Sequence, residues 1–249
     1  MTRAGDTISK DGLLTPMVEV INGLLDLVYP PRCLGCDTLG EDYLCDACLK
    51  EIERVPQPAC RICGHTLTAS DCHNCAGRVR SFTSARGAAD YDGVLREAIQ
   101  DFKYNGKRML ARPLGDLMFA YLEKRADFPW RKADCIIPVP IHPRRRRFRG
   151  YNQSELLARH LSERTGIPLV TGLLIRRRWT KPQVECSRDE RRTNLLKAFR
   201  VLNPVPICGK TVILVDDVST TGSTIHEASI ALRRAGVERI YVLCLAFGG

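Results

Sequence analysis

Two adjacent carboxylates, Asp216 and Asp217, follow a continuous apolar run at 212–215. A run of this kind is typical of a strand that is buried on both faces in the middle of a parallel sheet. Ligands of open α/β sheets bind beyond the carboxyl ends of the strands, and the two carboxylates are predicted to lie where this strand ends. Paired carboxylates in such a place can accept hydrogen bonds from neighbouring hydroxyl groups of a sugar.

A small turn rich in hydroxyl groups comes next. Its residues are Ser219, Thr220, Thr221, Gly222, Ser223 and Thr224. An amphipathic pattern then predicts a helix over 224–235. The free backbone N–H groups and the dipole at such a helix start favour a phosphate, and small side chains let the anion approach closely. Carboxylates beside a phosphate loop therefore predict a ligand with both ribose hydroxyls and a 5′-phosphate.

This stretch resembles the phosphoribosyl pyrophosphate (PRPP) motif of type I phosphoribosyltransferases. One alternative is the acidic strand end of a nucleotide hydrolase, but that fold needs a glycine-rich phosphate loop elsewhere. The candidate loop has Pro204 in place of the first glycine, and its segment 209–211 precedes a strand instead of following one. A purely structural strand, turn and helix explains neither the doubled carboxylate nor the hydroxyl-rich loop.

The composition is that of a globular protein of 249 residues with a formal net charge of +10 at pH 7. This charge favours polyanionic partners, either nucleic acids or phosphorylated small molecules. No segment reaches the roughly 18 apolar residues of a membrane span. Polar residues interrupt the stretch 13–29, which predicts an amphipathic helix and not a signal peptide. We therefore expect a cytoplasmic protein.

Eight of the twelve cysteines form two CxxC-x8-CxxC repeats, with members Cys33, Cys36, Cys45, Cys48, Cys60, Cys63, Cys72 and Cys75. In a cytosolic chain this spacing predicts structural zinc with four thiolates per ion, because disulfides are disfavoured there. A redox CxxC is a weaker alternative, since it would not need four copies. Two ions are expected. The short gaps favour one ion in each repeat, and cross-braced pairing stays open.

The remaining candidates near these ligands have simpler explanations. His65 and His73 lie among the cysteines, but with eight thiolates available they are expected to be bystanders. Three other cysteines, Cys135, Cys208 and Cys244, lie in or beside apolar runs. They are most simply core residues.

Strands and helices alternate beyond residue 80. We predict strands at 82–91, 135–139, 169–174, 211–215 and 239–247, and helices at 93–103, 110–122, 152–164 and 224–235. This alternation predicts an α/β fold in which helices cover both faces of a parallel sheet. We expect an N-terminal helix and zinc-binding module over 12–80, and a domain like that of type I phosphoribosyltransferases over 81–249.

Several separate stretches resemble one family, the ComF family of phosphoribosyltransferase-like proteins named for DNA uptake in competent bacteria. They are the cysteine repeats after Leu27-Val28-Tyr29-Pro30-Pro31, the segments 91–93 and 102–104, Ile137-Pro138-Val139-Pro140-Ile141-His142, Arg149-Gly150-Tyr151-Asn152-Gln153-Ser154, Thr180-Lys181-Pro182-Gln183 with Arg191 and Asn194, and the acidic motif at 212–224. The likeness covers nearly the whole chain beyond residue 20. One departure is Cys186, where the family often has leucine. The likeness is specific for the family and less so for an activity, because the family is named for a process.

The resemblance implies a pyrophosphate-binding loop made of Val139, Pro140, Ile141 and His142. Basic contacts to the pyrophosphate are expected from Arg144, Arg149, Lys181 and Arg191. The alternative for the arginine run at 144–149 is an ordinary solvated face. Residues 176–192 resemble the flexible loop that closes over PRPP in type I enzymes, and the alternative is a surface loop without a catalytic part.

The predicted function is that of a phosphoribosyltransferase. It binds PRPP with Mg²⁺ and displaces pyrophosphate by an unidentified acceptor, in DNA uptake or nucleotide salvage. In this prediction Asp216 and Asp217 hold the ribose, and residues 219–224 hold the 5′-phosphate. The rival is a non-catalytic protein that senses PRPP or binds single-stranded DNA, with DNA or competence proteins as partners. Aromatic residues make up only 6% of the chain, which is little material for base stacking. The oligomeric state stays open.

Overall fold

The computed structural model describes residues 31–40, 42–67, 70–77, 79–177 and 198–248. The predicted helix at 13–29 lies outside these residues, as does most of the predicted flexible loop, including Lys181, Cys186 and Arg191. The predictions about them stay predictions.

The centre of the fold is a four-stranded parallel sheet. The described residues form six strands, which are β1 (Ser84–Asp90), β2 (Cys135–Pro138), β3 (Leu174–Arg176), β4 (Phe199–Val201), β5 (Thr211–Ser219) and β6 (Arg239–Phe247). The sheet has the order β1-β6-β5-β2, while β3 and β4 form a separate antiparallel pair. The residues from Val212 to Val215 are almost completely buried, as expected for a strand that is covered on both faces.

Helices cover both faces of this sheet. The described α-helices are α1 (Asp46–Glu51), α2 (Gly93–Tyr104), α3 (Ala111–Glu123), α4 (Pro143–Arg149), α5 (Gln153–Thr165) and α6 (Ser223–Arg234). Leu243 of β6 belongs to the core on the side of α2, α3 and α5, whereas its neighbour Val242 belongs to the core on the side of α6. Consecutive residues of a strand point to opposite faces, so β6 contributes to both cores. The predicted α/β fold is confirmed.

The arginine-rich stretch forms a helix that the apolar pattern did not predict. No residue of α4 is buried, so it has no apolar face to reveal it. Its ends explain its formation. His142 is the N-cap, Pro143 occupies the first turn, and Gly150 ends the helix with a left-handed φ of 79°.

Two further expectations need correction. The strand predicted at 169–174 begins only at Leu174, and Leu169 makes a single bridge with Ile136. Cys208 is exposed, whereas Cys135 and Cys244 are core residues as predicted. The reason is that Cys208 ends a short 3₁₀ turn and does not belong to the strand that follows.

The described part of the N-terminal region, residues 31–77, packs directly on the α/β domain; we call it the cysteine module. Leu44 and Ile52 share a core with α2 and α3. On the other side, the backbone N–H of Ala85 in β1 donates to the carbonyl of Ile62 at 2.7 Å. A Cβ added to Gly64 would lie 2.4 Å from the Ala85 carbonyl oxygen, so this close approach requires glycine. The module therefore shares its packing with the sheet. None of the described helices is long and apolar enough to cross a membrane.

Candidate functional site

The two carboxylates lie within the last part of β5. This strand continues to Ser219, four residues beyond the predicted end at Val215. It does so because β6 pairs with it along the whole length, up to the pair Ser219 and Phe247. Asp216 and Asp217 are consequently only 7% and 9% exposed, at the carboxyl edge of the sheet.

Each carboxylate is held by a residue from a different helix. Asp216 Oδ1 accepts a hydrogen bond from the Ser154 hydroxyl at 2.9 Å and another from the Asp217 backbone N–H at 3.0 Å. Asp217 Oδ2 forms an ion pair with Lys103 Nζ at 3.2 Å. The two acids are thus fixed by Ser154 near the start of α5 and by Lys103 near the end of α2.

The pKa of Asp216 is raised to about 7, first by burial and then by the neighbouring charge of Asp217. The hydrogen bond from Ser154 and the charge of Lys103 oppose this rise but do not cancel it. One lysine therefore faces two carboxyl groups, a combination that suits hydroxyl donors or a cation.

The predicted phosphate loop joins β5 to α6. Gly222 has a left-handed φ of 73°, and α6 begins at the next residue. Among the described residues, the backbone N–H groups of Thr220, Thr221 and Gly222 make no hydrogen bond, and neither does the buried hydroxyl of Ser219. The hydroxyls of Thr221 and Ser223 lie 2.8 Å apart. Several donors thus lie together at the start of a twelve-residue helix, where an anion is favoured.

The predicted pyrophosphate loop follows the edge strand β2. Val139 is buried, its backbone N–H donates to Val215 at 2.8 Å, and its carbonyl accepts from Asn152 Nδ2 at 3.0 Å. Its side chain therefore belongs to the hydrophobic core beneath the loop. His142 Nδ1 accepts from the Arg144 backbone N–H at 3.2 Å, and burial followed by the charge of Arg144 lowers the pKa of His142. The structure thus favours a neutral imidazole at the start of α4.

A cavity of about 710 Å³ adjoins this loop. Its walls include Pro140, Ile141 and Asn152, together with Arg176 and Arg177. Arg176 is the last residue of β3 and is buried, so the segment predicted as a flexible loop begins with a strand residue. Burial and then the charge of Arg145 lower the pKa of Arg176 to about 10.

The two predicted basic contacts that the structure describes, Arg144 and Arg149, lie on α4. Arg144 is exposed. Arg149 donates to Gln153 Oε1 at 3.2 Å, and its guanidinium lies 4.9 Å from the centre of the Tyr104 ring. Tyr104 and Phe148 are 58% and 83% exposed. We call Tyr104, Arg144, Phe148 and Arg149 the α4 surface.

Each cysteine repeat brings its own four thiols together. Within each set, all sulfur atoms lie within 4.8 Å of one another. The Sγ atoms of Cys36 and Cys45 are 3.7 Å apart, close to the separation of about 3.8 Å that a tetrahedral zinc ion with 2.3 Å bonds requires. The backbone N–H groups of Gly35 and Cys45 point to Cys33 Sγ at 3.4 and 3.3 Å, as in thiolate sites. Both clusters therefore fit a structural zinc ion, with sequential pairing of the cysteines.

The sequence patterns did not predict three residues of the site, which are Lys103, Ser154 and the buried Arg176. Lys103 and Ser154 lie in stretches that carried the family resemblance, but neither their type nor their spacing indicated a contact with a carboxylate. His65 is a further case. It was expected to be a bystander, but its ring contacts the predicted phosphate loop, with Nε2 2.7 Å from the Thr220 carbonyl oxygen.

Two family models agree with this architecture. Residues 24–77 match the family model of the double zinc ribbon domain, and residues 152–249 match that of the phosphoribosyl transferase domain. A solved structure of "the allosteric regulatory enzyme of purine biosynthesis" is 21% identical with a TM-score of 0.40, and the alignment covers 59% of this chain and 30% of that one.

Three relatives are matched along most of their length. Competence protein F of Haemophilus influenzae is 35% identical over 224 residues, or 86% of this chain and 96% of that protein. DNA utilization protein YhgH of Escherichia coli K12 is 32% identical over 225 residues, or 88% and 98% of the two chains. Competence protein ComFC of Streptococcus pneumoniae is 25% identical over 207 residues, or 82% and 88%. With a double zinc ribbon, a phosphoribosyltransferase domain and relatives matched almost from end to end, this chain belongs to the ComF family.

Proposed function

We propose that this protein binds PRPP with Mg²⁺ and transfers the phosphoribosyl group to a nucleophilic acceptor, with release of pyrophosphate. One observation carries the proposal. A buried pair of carboxylates and a loop with unused backbone donors follow each other at the end of β5. This arrangement suits a ligand that combines ribose hydroxyls with a phosphate. The match to the phosphoribosyl transferase domain supports it.

In the proposed complex the ribose lies over the carboxylates. Asp217 accepts a hydrogen bond from one ribose hydroxyl, while the ion pair with Lys103 holds this carboxylate in place. Asp216 offers its second oxygen to the other hydroxyl, because Oδ1 is already used by Ser154. The 5′-phosphate binds to the backbone N–H groups of Thr220, Thr221 and Gly222.

The proposed reaction takes place at the anomeric carbon of the ribose. The bond from this carbon to the pyrophosphate oxygen breaks, and its electron pair leaves with pyrophosphate. A lone pair of the acceptor forms the new bond, and the acceptor then loses a proton. The side chains of Arg144 and Arg149 add positive charge on the leaving-group side, as do Lys181 and Arg191 in the sequence-based prediction. Mg²⁺, for which carboxylate and phosphate oxygens are suitable ligands, neutralises charge on the pyrophosphate when bound.

Calorimetric titration with PRPP and Mg²⁺ tests the binding step. Wild-type protein is expected to bind, and the double variant Asp216→Asn/Asp217→Asn is expected to lose most of the affinity. Asp134→Asn, a change at an exposed carboxylate before β2, serves as the matched control and should bind like wild type. Pyrophosphate release with a panel of bases and amines then tests transfer. Absence of PRPP binding by the folded wild-type protein would refute the proposal.

The second candidate function is binding of single-stranded nucleic acid at the α4 surface. The specific observation is the exposure of two aromatic rings near arginines: Arg149 lies 4.9 Å from the centre of the Tyr104 ring, and Arg144 lies one turn before Phe148 on α4. Single strands are bound by basic grooves with aromatic rings on which bases stack. The names of the relatives, which refer to competence and DNA utilization, agree with this function. In this second function the protein catalyses no reaction, and PRPP serves as a signal that it senses.

A further inference from the structure

The second cysteine repeat reaches the predicted phosphate loop through His65. Its Nε2 lies 2.7 Å from the carbonyl oxygen of Thr220, and its ring is stacked on Phe247 with centroids 5.0 Å apart. The other ring nitrogen lies 3.3 Å from the carbonyl of Cys63, one of the zinc-type ligands. A single side chain thus connects the second cluster to the loop.

The direction of the shorter contact follows from the chemistry of its two atoms. A carbonyl oxygen can only accept, so His65 Nε2 carries the proton and donates it to the Thr220 carbonyl. The peptide group between Thr220 and Thr221 is planar and trans, and its N–H therefore points away from its C=O. Holding the Thr220 carbonyl on one side fixes the Thr221 N–H on the other side. Within the described part of the chain, that N–H makes no hydrogen bond.

Neighbouring residues of the same region support this part of the loop. A Cβ added to Gly222 would lie 3.6 Å from Arg80 Nη1, and the Arg80 guanidinium also donates to the carbonyl of Asn74 in the second repeat. The backbone N–H of Ser81 donates to His226 Nδ1 on the first turn of α6 at 3.3 Å. The loop is therefore contacted from the cysteine module and from the segment that connects it to β1.

We infer that His65 is a positioning residue for the phosphate loop and that the second zinc cluster is an integral part of the phosphate site. The cluster fixes the turn that carries His65, His65 fixes the Thr220 carbonyl, and the loop then presents its backbone N–H groups before a phosphate arrives. Such preorganisation increases affinity because less order has to be imposed on binding. The expected effect on PRPP affinity rests on the proposed function, whereas the expected effect on the order of the loop does not.

Three variants test this inference in the full-length, zinc-loaded protein. His65→Ala removes the donor, and His65→Gln keeps an N–H donor that can reach the same carbonyl. His73→Ala is the matched control, since it changes an exposed histidine of the same repeat. Metal analysis shows whether each variant retains two zinc ions. Amide hydrogen exchange of the peptide 216–226 reports on the loop without any ligand, and calorimetry with PRPP and Mg²⁺ reports on binding.

We expect His65→Ala to keep its zinc, to exchange faster across 216–226 and to bind PRPP about tenfold more weakly, a factor that corresponds to about 1.4 kcal/mol. His65→Gln should restore most of the slow exchange and most of the PRPP affinity. His73→Ala should behave like wild type. Unchanged exchange in zinc-loaded His65→Ala overturns the positioning role, whether or not PRPP binds. If the wild type fails to bind PRPP, the proposed function is refuted, and the exchange data still decide the role of His65.

Discussion

Lys103 Nζ lies 3.2 Å from Asp217 Oδ2, and the two side chains are only 16% and 13% exposed. This ion pair joins the end of α2 to the carboxyl edge of the sheet. It places a single lysine against two adjacent carboxyl groups, of which Asp216 has a pKa raised to about 7. The lysine therefore places a positive charge beside both carboxyl groups before a ligand binds.

Replacing Lys103 should destabilise the folded protein at high pH. We expect Lys103→Met to reduce the free energy of unfolding at pH 8 by about 2–4 kcal/mol, because it leaves a nearly buried carboxylate without its partner. The loss should be smaller at pH 5, because Asp216, whose pKa is raised to about 7, is then protonated and no longer attracted by the lysine. Urea unfolding at both pH values measures this, with Lys124→Met at the exposed end of α3 as the control. Adding Asp217→Asn to Lys103→Met should restore much of the stability, and a double variant as unstable as Lys103→Met alone would argue against the ion pair.

The raised pKa of Asp216 predicts how the stability of the folded protein changes with pH. Below about pH 4 this carboxyl group is protonated in both the folded and the unfolded chain, so it contributes nothing. Between about pH 4 and pH 7 the unfolded chain loses the proton while the folded chain keeps it, so the folded state becomes less stable as the pH rises. Above pH 7 this loss of stability is constant. We expect Asp216→Asn to raise the Tm at pH 8 by several degrees and to have little effect near pH 4, since Asn keeps an acceptor for Ser154.

A carboxylate with the opposite shift provides the control. The backbone N–H of Thr211, followed by Lys210, lowers the pKa of Asp134. Asp134→Asn should therefore lower the Tm above pH 4. A lower Tm for Asp216→Asn across the whole pH range would show that Asp216 is not buried as described.

The two zinc clusters should contribute unequally to ligand binding. Wild-type protein is expected to carry two zinc ions, and Cys36→Ser and Cys63→Ser are each expected to carry one. Only the loss at the second cluster should weaken PRPP binding strongly, because that cluster adjoins the phosphate loop through His65. Metal analysis and calorimetry on the same samples test this. Equal effects of the two variants on PRPP affinity would contradict it.

Chelation should also destabilise the sheet itself. Leu44 and Ile52 of the cysteine module belong to the same core as residues of α2 and α3. We therefore expect removal of zinc to lower the melting temperature of the whole described fold. A calorimetric scan in which the α/β domain melts at its original temperature after chelation would disprove this coupling.

Phe148 provides the test of nucleic-acid binding. If bases stack on the α4 surface, Phe148→Ala should weaken binding of single-stranded DNA about 5- to 150-fold, as expected for a loss of 1–3 kcal/mol. Val205→Ala is the control, because Val205 is similarly exposed at 79% but lies outside that surface. Fluorescence anisotropy at several salt concentrations separates this loss from the purely ionic contribution of the arginines. Identical affinities of the two variants would exclude base stacking on Phe148.

The elements of the fold and the zinc clusters could be predicted from the sequence, because both depend on local spacing. The helices α2, α3, α5 and α6 repeat apolar residues with helical periodicity, and β6 extends over the range expected of it. The CxxC repeats place four thiols within a short segment, so their clusters also follow from spacing. The helix α4 was not predicted, because an exposed helix without an apolar face shows no periodic pattern of apolar residues.

The sequence by itself also located the carboxylates and the hydroxyl-rich loop, because they are contiguous with β5. Only the tertiary structure decided what holds them. Ser154 lies 62 residues from Asp216, and His65 lies 155 residues from Thr220. Contacts across such separations depend on the order of strands in the sheet and on how the cysteine module packs against it. Periodicity along one element carries no information about either, since it specifies which face is buried and not which element buries it.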